Sequence, residues 1–255
     1  MKINALPREI KELRDRGALF VINHSGGKDS QAMTIYLRKH IADNQLLVVH
    51  AHLQDVEWAG TWDHVIANCE GIDCRQVVAK KTFFEMVRHR GRFPSIQFRQ
   101  CTSDLKRSPI EKLIRHYLKG NPRFGGVVVN CMGMRAEEST RRSKQMHFRL
   151  VEGNCTRLRT WYNWLPIHQM LLDEVFDTIN SVGQKAHWAY GEGMSRLSCC
   201  FCIMSSKQDL STAAILNPDL YKRYVDLEKD LGHTLAMPVK GKSPRGLEEI
   251  TGISV

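Results

Sequence analysis

Short apolar runs alternate with segments of helical periodicity along most of the chain. The apolar runs are 18–24, 46–53, 76–80 and 125–130. Because they are short and continuous, they are typical of parallel strands that are covered on both faces. The segments with helical periodicity are 7–16, 31–42, 61–70, 172–179 and 220–231, with a further helix that ends near 118. This alternation predicts an α/β fold with a doubly wound, mostly parallel sheet.

The length of 255 residues suits one α/β domain with an appended piece, or two small domains. We expect the α/β domain to cover residues 1–183. Residues 184–255 then form a small C-terminal helical subdomain that contains a dense group of cysteines. No obvious linker or repeat marks the boundary between them.

Residues 25–30 read Ser-Gly-Gly-Lys-Asp-Ser and lie between the first apolar run and a helix. The two glycines permit positive φ and let an anion approach the backbone. The helix that follows offers free N–H groups and the positive end of its dipole. Lys28 adds a positive charge, and Ser25 and Ser30 add hydroxyl donors. The stretch therefore predicts a phosphate-binding turn, and a glycine turn that binds nothing is the alternative.

This stretch lacks the residue spacing of a Walker loop and resembles instead the PP-loop of ATP pyrophosphatases. The resemblance implies an enzyme that holds the β,γ-pyrophosphate of ATP, transfers AMP to an acceptor oxygen and releases pyrophosphate. It also implies the adenine nucleotide α-hydrolase-like form of the α/β fold. Phosphoadenylyl-sulfate reductases share that fold and carry a modified loop.

The chain has a formal charge of +10 and a pI near 9.3. A basic surface attracts polyanions because their counterions are released, so ATP, DNA and RNA are all candidate partners. A basic enzyme surface without such a partner is the alternative. The segment 82–99 is notably basic, and we expect it to be a mobile loop over the site.

A pair of cysteines, Cys199 and Cys202, has the C-x-x-C spacing that lets two thiolates reach one metal or cluster. Two thiolates do not complete such a site. Cys101, just before a predicted helix, is the expected third ligand. The fourth ligand is Cys200, a residue other than cysteine, or an exogenous group. Thiols that bind no metal are the alternative.

Further segments extend the resemblance over most of the chain. Residues 99–109 and 135–141 resemble two motifs of the phosphoadenylyl-sulfate reductase-like superfamily. Residues 166–167 resemble the Pro-Ile before its last core helix. Residues 195–202 resemble the last cysteine motif of the metal-binding members of this superfamily, with Ser198 in place of the usual glycine. The resemblance favours a [4Fe-4S] cluster over Zn²⁺, and a cluster with one open iron could hold a sulfide for transfer.

The resemblance also implies ATP and Mg²⁺ as cofactors. Adenylation develops negative charge at the α-phosphate, so fixed donors and Mg²⁺ matter more than a general base. Lys28 is expected to stabilise that charge. Either Asp29 or Asp55 positions Mg²⁺, with helix capping as an equal alternative for Asp29. Arg135 and Arg141 are expected to grip phosphates, with ion pairing to nearby glutamates as the alternative.

The implied site residues form three sets. Those expected to be catalytic are Lys28, Asp29, Asp55 and Arg135. Those expected to bind the nucleotide are Ser25, Gly26, Gly27, Lys28, Asp29, Ser30 and Arg141. Those expected to hold the metal are Cys101, Cys199, Cys202 and Cys200.

Within the superfamily, the intact loop, the split cysteine set and the basic charge are most similar to the ATP pyrophosphatase component of bacterial DNA phosphorothioation. That resemblance implies an ATP-dependent sulfurtransferase that adenylates an oxygen of DNA. A cysteine desulfurase would be the sulfur donor. This chain would act in a multi-protein complex, and a homodimer of the chain is a further expectation. A tRNA thiolation enzyme is a related alternative.

Two interpretations rank lower. A phosphoadenylyl-sulfate or adenylyl-sulfate reductase ranks second, because the last cysteine is Cys202 and no Glu-Cys-Gly-x-His-type segment is present. A non-catalytic nucleotide-binding adaptor is the third interpretation. No apolar run approaches membrane-spanning length, and residues 1–7 lack the apolar core of a signal peptide. We therefore expect a cytoplasmic protein with reduced cysteines and no membrane partner.

Overall fold

The computed structural model describes residues 5–237, 241 and 243–255. The chain divides into two compact units. The first unit contains 1–50, 62–77 and 110–186, and the second contains 51–61, 78–109 and 187–255. The division into domains at 183/184 stays a prediction. The compact units differ from it because two segments from the first half of the chain belong to the second unit.

Within the described residues, six strands form one sheet with the order β3-β2-β1-β4-β6-β5. The strands are β1 (Leu19–Asn23), β2 (Leu46–His52), β3 (Asp73–Val78), β4 (Val127–Met132), β5 (Phe148–Leu150) and β6 (Thr160–Trp164). β1 is parallel to β2 and to β4, and β4 is parallel to β6, whereas β5 is antiparallel to β6. The predicted α/β fold with a mostly parallel sheet is confirmed.

The order of the strands reverses at β1. The chain leaves β1 for β2 and β3 on one side, and later returns to the other side of β1 as β4. Ligands of open α/β sheets bind outside the carboxyl ends of the strands at such a switch point. The register places Asn23 at the end of β1 opposite Met132 at the end of β4. The segments that follow these two strands are therefore neighbours.

The helices connect and extend these strands. They are α1 (Arg8–Asp15), α2 (Lys28–Arg38), α3 (Thr61–Asn68), α4 (Phe83–Arg90), α5 (Gln100–Thr102), α6 (Ser108–Gly120), α7 (Thr140–Ser143), α8 (Leu172–Asn180), α9 (Lys207–Leu216), α10 (Pro218–Leu231) and α11 (Leu247–Thr251). A π-helical turn, Ser103–Arg107, joins α5 to α6. In the described parts of the chain, no helix combines the length and the apolar character needed to cross a bilayer.

Each unit has its own hydrophobic core. In the first unit, sheet residues such as Phe20 and Val129 pack with Met33 of α2 and Val175 of α8. Nine of the 11 residues of α2 are buried, so the helix that follows β1 lies almost entirely in this core.

The core of the second unit is rich in aromatic side chains. The ring of Tyr224 in α10 lies 5.0 Å from the rings of Phe84 and Phe201, and 5.5 Å from that of Phe83. Such ring pairs contribute about 0.5–1.5 kcal/mol each beyond the burial of their area. The core of this unit therefore depends on contacts between α4, α10 and the turn that contains Phe201.

The prediction of a single mobile loop over 82–99 is wrong, because α4 occupies its first half. The Thr82 hydroxyl accepts a hydrogen bond from the Glu85 N–H at 3.1 Å, and the Glu85 carboxylate accepts one from the Thr82 N–H at 2.8 Å. This reciprocal pair is a capping box, and its Thr-x-x-Glu pattern was a local signal for the helix. The third strand also begins earlier than predicted, because β3 is an edge strand that starts with the partly exposed polar residue Asp73.

We expect Thr82→Ala to lower the free energy of unfolding by about 1 kcal/mol, because the substitution removes the acceptor that caps α4. Chemical denaturation followed by circular dichroism measures the change. Thr82→Ser is the matched control and should retain most of the stability, since it keeps the hydroxyl. Equal stability of Thr82→Ala and the wild type would show that the capping box does not stabilise this helix.

Candidate nucleotide site and thiol cluster

Residues 25–30, called the PP-loop below, follow β1 and are shaped by hydrogen bonds within the loop. The Ser30 hydroxyl donates to the carbonyl oxygen of Gly27 at 2.8 Å, and the Ser25 N–H donates to the Ser30 hydroxyl at 3.2 Å. Gly26 has φ of 80°, a conformation that glycine adopts without strain. The predicted strand, tight turn and helix are all present.

The first turn of α2 begins directly at the PP-loop. Gly27 is the N-cap, and among the described residues no side chain caps the helix. A helix that starts in this way directs N–H groups and the positive end of its dipole towards an anion. Because α2 begins at the switch point of the sheet, the loop has the geometry of a phosphate site.

His24 supports the PP-loop from the end of β1. Its side chain is 1% exposed, and its Nδ1 accepts a hydrogen bond from the Gly26 N–H at 3.1 Å. Burial, together with the nearby His50 and His64, lowers the pKa of His24 to about 3. The ring is therefore neutral, and Nδ1 remains an acceptor. The sequence analysis missed His24, although its position immediately before the loop was a signal.

A partly buried ion pair connects the first turn of α2 to the segment after β4. The Arg135 Nε donates to Asp29 Oδ1 at 2.6 Å, and the side chain of Arg135 also pairs with Glu137. Burial by itself would lower the pKa of Arg135, but the hydrogen bond and the charge of Asp29 raise it above its ordinary value. Arg135 therefore stays charged and orients the carboxylate of Asp29.

Lys28 lies beside this pair. Its Nζ is 3.5 Å from Asp29 Oδ2, which is longer than a hydrogen bond. Asp29 is thus held mainly by Arg135, and its carboxylate does not serve as a helix cap. The pairing of Arg135 with a glutamate, an alternative left open by the sequence, is confirmed, whereas its pairing with Asp29 was not foreseen.

Gly133 allows the segment after β4 to approach α2 closely. A Cβ at this position would lie 3.0 Å from the carbonyl carbon and oxygen of Asp29 and from the nitrogen of Ser30. Real Cβ atoms rarely come so close to backbone atoms, so a larger residue would displace one of the two segments. Gly133 was not among the predicted site residues, and its signal was a glycine just after a strand.

Three asparagines join the central strands near the same edge of the sheet. Asn23 donates to the side-chain oxygen of Asn130 at 2.7 Å, and Asn130 donates to that of Asn163 at 2.9 Å. Such a chain of amides satisfies polar groups that would otherwise be costly to bury. The sequence analysis missed this chain because its members lie far apart in sequence.

The remaining predicted residues have different surroundings. Arg141 is exposed on α7, and no described acidic side chain pairs with it, whereas its neighbour Arg142 pairs with Glu138. Asp55 belongs to the second unit and pairs with Arg223 of that unit. The role of Asp55 in positioning Mg²⁺ stays a prediction.

Three of the predicted thiols lie within electrostatic reach of one another in the second unit. Burial raises the pKa of Cys199 to about 12, while the charge of Lys106 opposes that rise. Burial would lower the pKa of Lys106, but Cys199, Cys202 and Cys101 together raise it above its ordinary value. The charges of Cys101, Cys199 and Cys202 thus all act on the ammonium group of Lys106, and we call these four residues the thiol cluster.

Cys200 has different neighbours. Its side chain is fully buried in the core of the second unit, and its N–H donates to the carbonyl oxygen of Val56 at 2.9 Å. Burial raises the pKa of Cys200 to about 12, and Cys199 and Glu57 are the charged groups that act on it. Cys200 as a fourth ligand remains a prediction, and its position favours a role in the core.

The donors around the thiol cluster fit a sulfur-rich group. The hydroxyl of Tyr224 is buried without a hydrogen-bond partner among the described residues. Burial raises the pKa of Tyr224, and Cys199, Cys200 and Cys202 raise it further, so its hydroxyl lies near the thiols. Hydrogen bonds from such donors to sulfur are typical of iron–sulfur sites.

The described thiols do not form a preassembled tetrahedral zinc site. No three cysteine sulfurs of the described chain lie within 4.8 Å of one another. The sulfurs of a tetrahedral zinc site would be separated by about 3.8 Å, since each Zn–S bond is about 2.3 Å. The choice between a [4Fe-4S] cluster and Zn²⁺ therefore stays a prediction.

Comparison with known proteins gives several similarities. An uncharacterised protein of Methanocaldococcus jannaschii is 25% identical over 220 residues, which is 82% of this chain and 47% of that protein. An uncharacterised 37.8 kDa protein of Escherichia phage 186 is 26% identical over 147 residues, which is 58% of this chain and 42% of that protein. The chain therefore spans half or less of the length of these relatives.

Among solved structures, the phosphoadenylyl-sulfate reductase from Candida auris in its phosphate complex aligns with a TM-score of 0.46 and 10% identity. The alignment covers 76% of this chain and 96% of that one. A match to the phosphoadenosine phosphosulfate reductase domain extends over residues 19–205, from the start of β1 past the last cysteine. Because this match includes the PP-loop and the thiol cluster, the chain belongs to the phosphoadenosine phosphosulfate reductase domain family, whose PP-loop superfamily consists of nucleotide-utilising enzymes.

Proposed function

We propose that this protein is an ATP pyrophosphatase that activates an oxygen of nucleic acid, foremost a DNA phosphate oxygen, for replacement by sulfur. The observation that carries the proposal is the complete PP-loop at the uncapped start of α2. His24 and the pair of Arg135 with Asp29 hold that loop at the switch point of the sheet. A loop of this shape suits the terminal phosphates of ATP.

In the proposed reaction, the acceptor oxygen forms a bond to the α-phosphorus of ATP. The bond from that phosphorus to the pyrophosphate breaks, and the pyrophosphate leaves with the electron pair. A sulfide then bonds to the activated centre and displaces AMP. Lys28 and the N–H groups of the PP-loop stabilise the charge on the leaving pyrophosphate. Asp29, oriented by Arg135, would hold Mg²⁺ against the phosphates.

The thiol cluster has a supporting role in this proposal. Cys101, Cys199 and Cys202 would hold a [4Fe-4S] cluster, for which Zn²⁺ is the alternative. Such a cluster supplies, when bound, an iron site for sulfide. Lys106 offsets the negative charge of the thiolates. A cysteine desulfurase in the cytoplasm would supply the sulfur. The two proteins would act in a multi-protein complex, in which this chain could be a homodimer.

A second candidate function follows from the family match. The match to the phosphoadenosine phosphosulfate reductase domain favours reduction of an activated sulfate as the alternative activity. Such an enzyme releases sulfite from the activated sulfate and no pyrophosphate from ATP. Assays of the two products, each with its own substrate, therefore separate the two candidates.

We expect Lys28→Ala to lower pyrophosphate release from ATP by about 10²-fold or more, because a fixed charge at the leaving group is lost. Lys39→Ala is the matched control, since Lys39 is exposed just beyond the end of α2. It should leave the rate unchanged. Melting temperatures of both variants check the fold. If Lys28→Ala releases pyrophosphate as fast as Lys39→Ala does, the proposed role of the PP-loop is wrong.

We expect Gly133→Ala to weaken ATP binding by about tenfold, because its methyl group would push against Asp29 and Ser30. Isothermal titration with ATP and Mg²⁺ measures the change. The matched control is Gly153→Ala, since a Cβ there meets no atom within 4 Å. Equal affinities of the two variants would show that the close approach after β4 does not shape the nucleotide site.

We expect Cys101→Ala, Cys199→Ala and Cys202→Ala each to lose iron after anaerobic purification, since each removes one thiolate ligand. Cys155→Ala is the control and should retain iron, because Cys155 lies in the first unit. Visible absorbance at the charge-transfer bands of the cluster and chemical analysis of iron measure the amount of cluster bound. A colourless wild-type protein with stoichiometric zinc would overturn the cluster assignment.

A further inference from the structure

One segment of the second unit is strongly basic. Residues 78–109 contain eight lysines and arginines against two acidic residues, which is a net charge of +6 in a chain whose total is +10. About one eighth of the residues therefore carries more than half of the net charge. A concentration of this kind points to a polyanionic ligand.

Three arginines of this segment are exposed close together in sequence. Arg88 and Arg90 lie in the last turn of α4, and Arg92 follows the glycine that ends the helix. No described acidic side chain forms an ion pair with any of the three. Because their charges are not neutralised within the protein, their planar donor groups are available to phosphate oxygens.

An exposed aromatic ring follows the arginines. Phe98 is 67% exposed, in a turn where the Ser95 N–H donates to the Phe98 carbonyl at 3.2 Å and the Phe98 N–H donates to the Ser95 hydroxyl at 3.0 Å. The start of the turn is anchored by Phe93, which is buried with its ring 6.3 Å from that of Tyr224. The ring of Phe98 is thus held in solvent by an ordered turn with a buried anchor.

We propose that Arg88, Arg90, Arg92 and Phe98 form a binding surface for single-stranded nucleic acid. We call it the arginine–phenylalanine surface. The arginines neutralise successive phosphates, and the ring stacks on an unpaired base. A duplex or an acidic polypeptide can use the charges, but neither offers a free base to the ring. This inference rests on the proposed function and deepens it, because it names the form of the acceptor and the segment that holds it.

The test is fluorescence anisotropy with a labelled single strand of about 12 nucleotides and with its duplex, in the absence of ATP and over a range of salt concentrations. Phe98→Ala should weaken single-strand binding by about tenfold, and duplex binding by less than about twofold. Phe98→Tyr should restore the single-strand affinity, since it keeps the ring. Arg90→Ala combined with Arg92→Ala should reduce the salt slope for the single strand by about 1.4.

Two matched controls use other exposed residues. Ile215→Ala removes an apolar side chain that is 71% exposed on α9, and Lys112→Ala combined with Lys119→Ala removes two exposed charges of α6. Neither should change single-strand affinity by more than about twofold. The proposal is overturned if Phe98→Ala binds the single strand like Ile215→Ala. It is also overturned if polyglutamate displaces the strand as readily from the wild type as an unlabelled strand does.

The arginine–phenylalanine surface and the proposed function can be disproved independently of each other. Strand binding is measured without ATP, so it does not depend on turnover at the PP-loop. Pyrophosphate release that survives Lys28→Ala, with strand binding still dependent on Phe98, would remove the proposed function and leave the surface in place.

Discussion

The contact between Arg135 and Asp29 determines the shape of the candidate nucleotide site. It joins the first turn of α2 to the segment after β4, across the point where the strand order reverses. Arg135 is 4% exposed, and a buried charge is tolerated only when it is paired and hydrogen-bonded. Arg135 meets this requirement through Asp29 and Glu137, and its bond to Asp29 holds the two segments together.

The backbone around this ion pair also lets the PP-loop and the segment after β4 lie close together. Gly133 lets the two segments approach to a distance that a Cβ would prevent. On the other side of the loop, the neutral ring of His24 accepts from the N–H of Gly26, and burial keeps that ring neutral. The PP-loop is thus held from β1 and from β4 before any nucleotide binds, which is the preorganisation that charge stabilisation requires.

In the thiol cluster of the second unit, negative thiolates and a positive ammonium group also compensate each other's charge. Burial penalises thiolates, and it also penalises the ammonium of Lys106. When the two kinds of group lie together, each lowers the cost of charging the other. This arrangement suits thiols that must be ionised to bind a metal. Cys200, without such a partner, packs as an apolar residue.

The sequence by itself determined the alternation of strands and helices, the PP-loop and the C-x-x-C pair, because each is a local pattern that neighbouring residues specify. Only the tertiary structure decided the partner of Asp29, which lies 106 positions away, and the placement of Lys106 where its charge acts on the thiols. These contacts depend on which segments the sheet and the helices bring together in space, and no pattern within one segment contains that information.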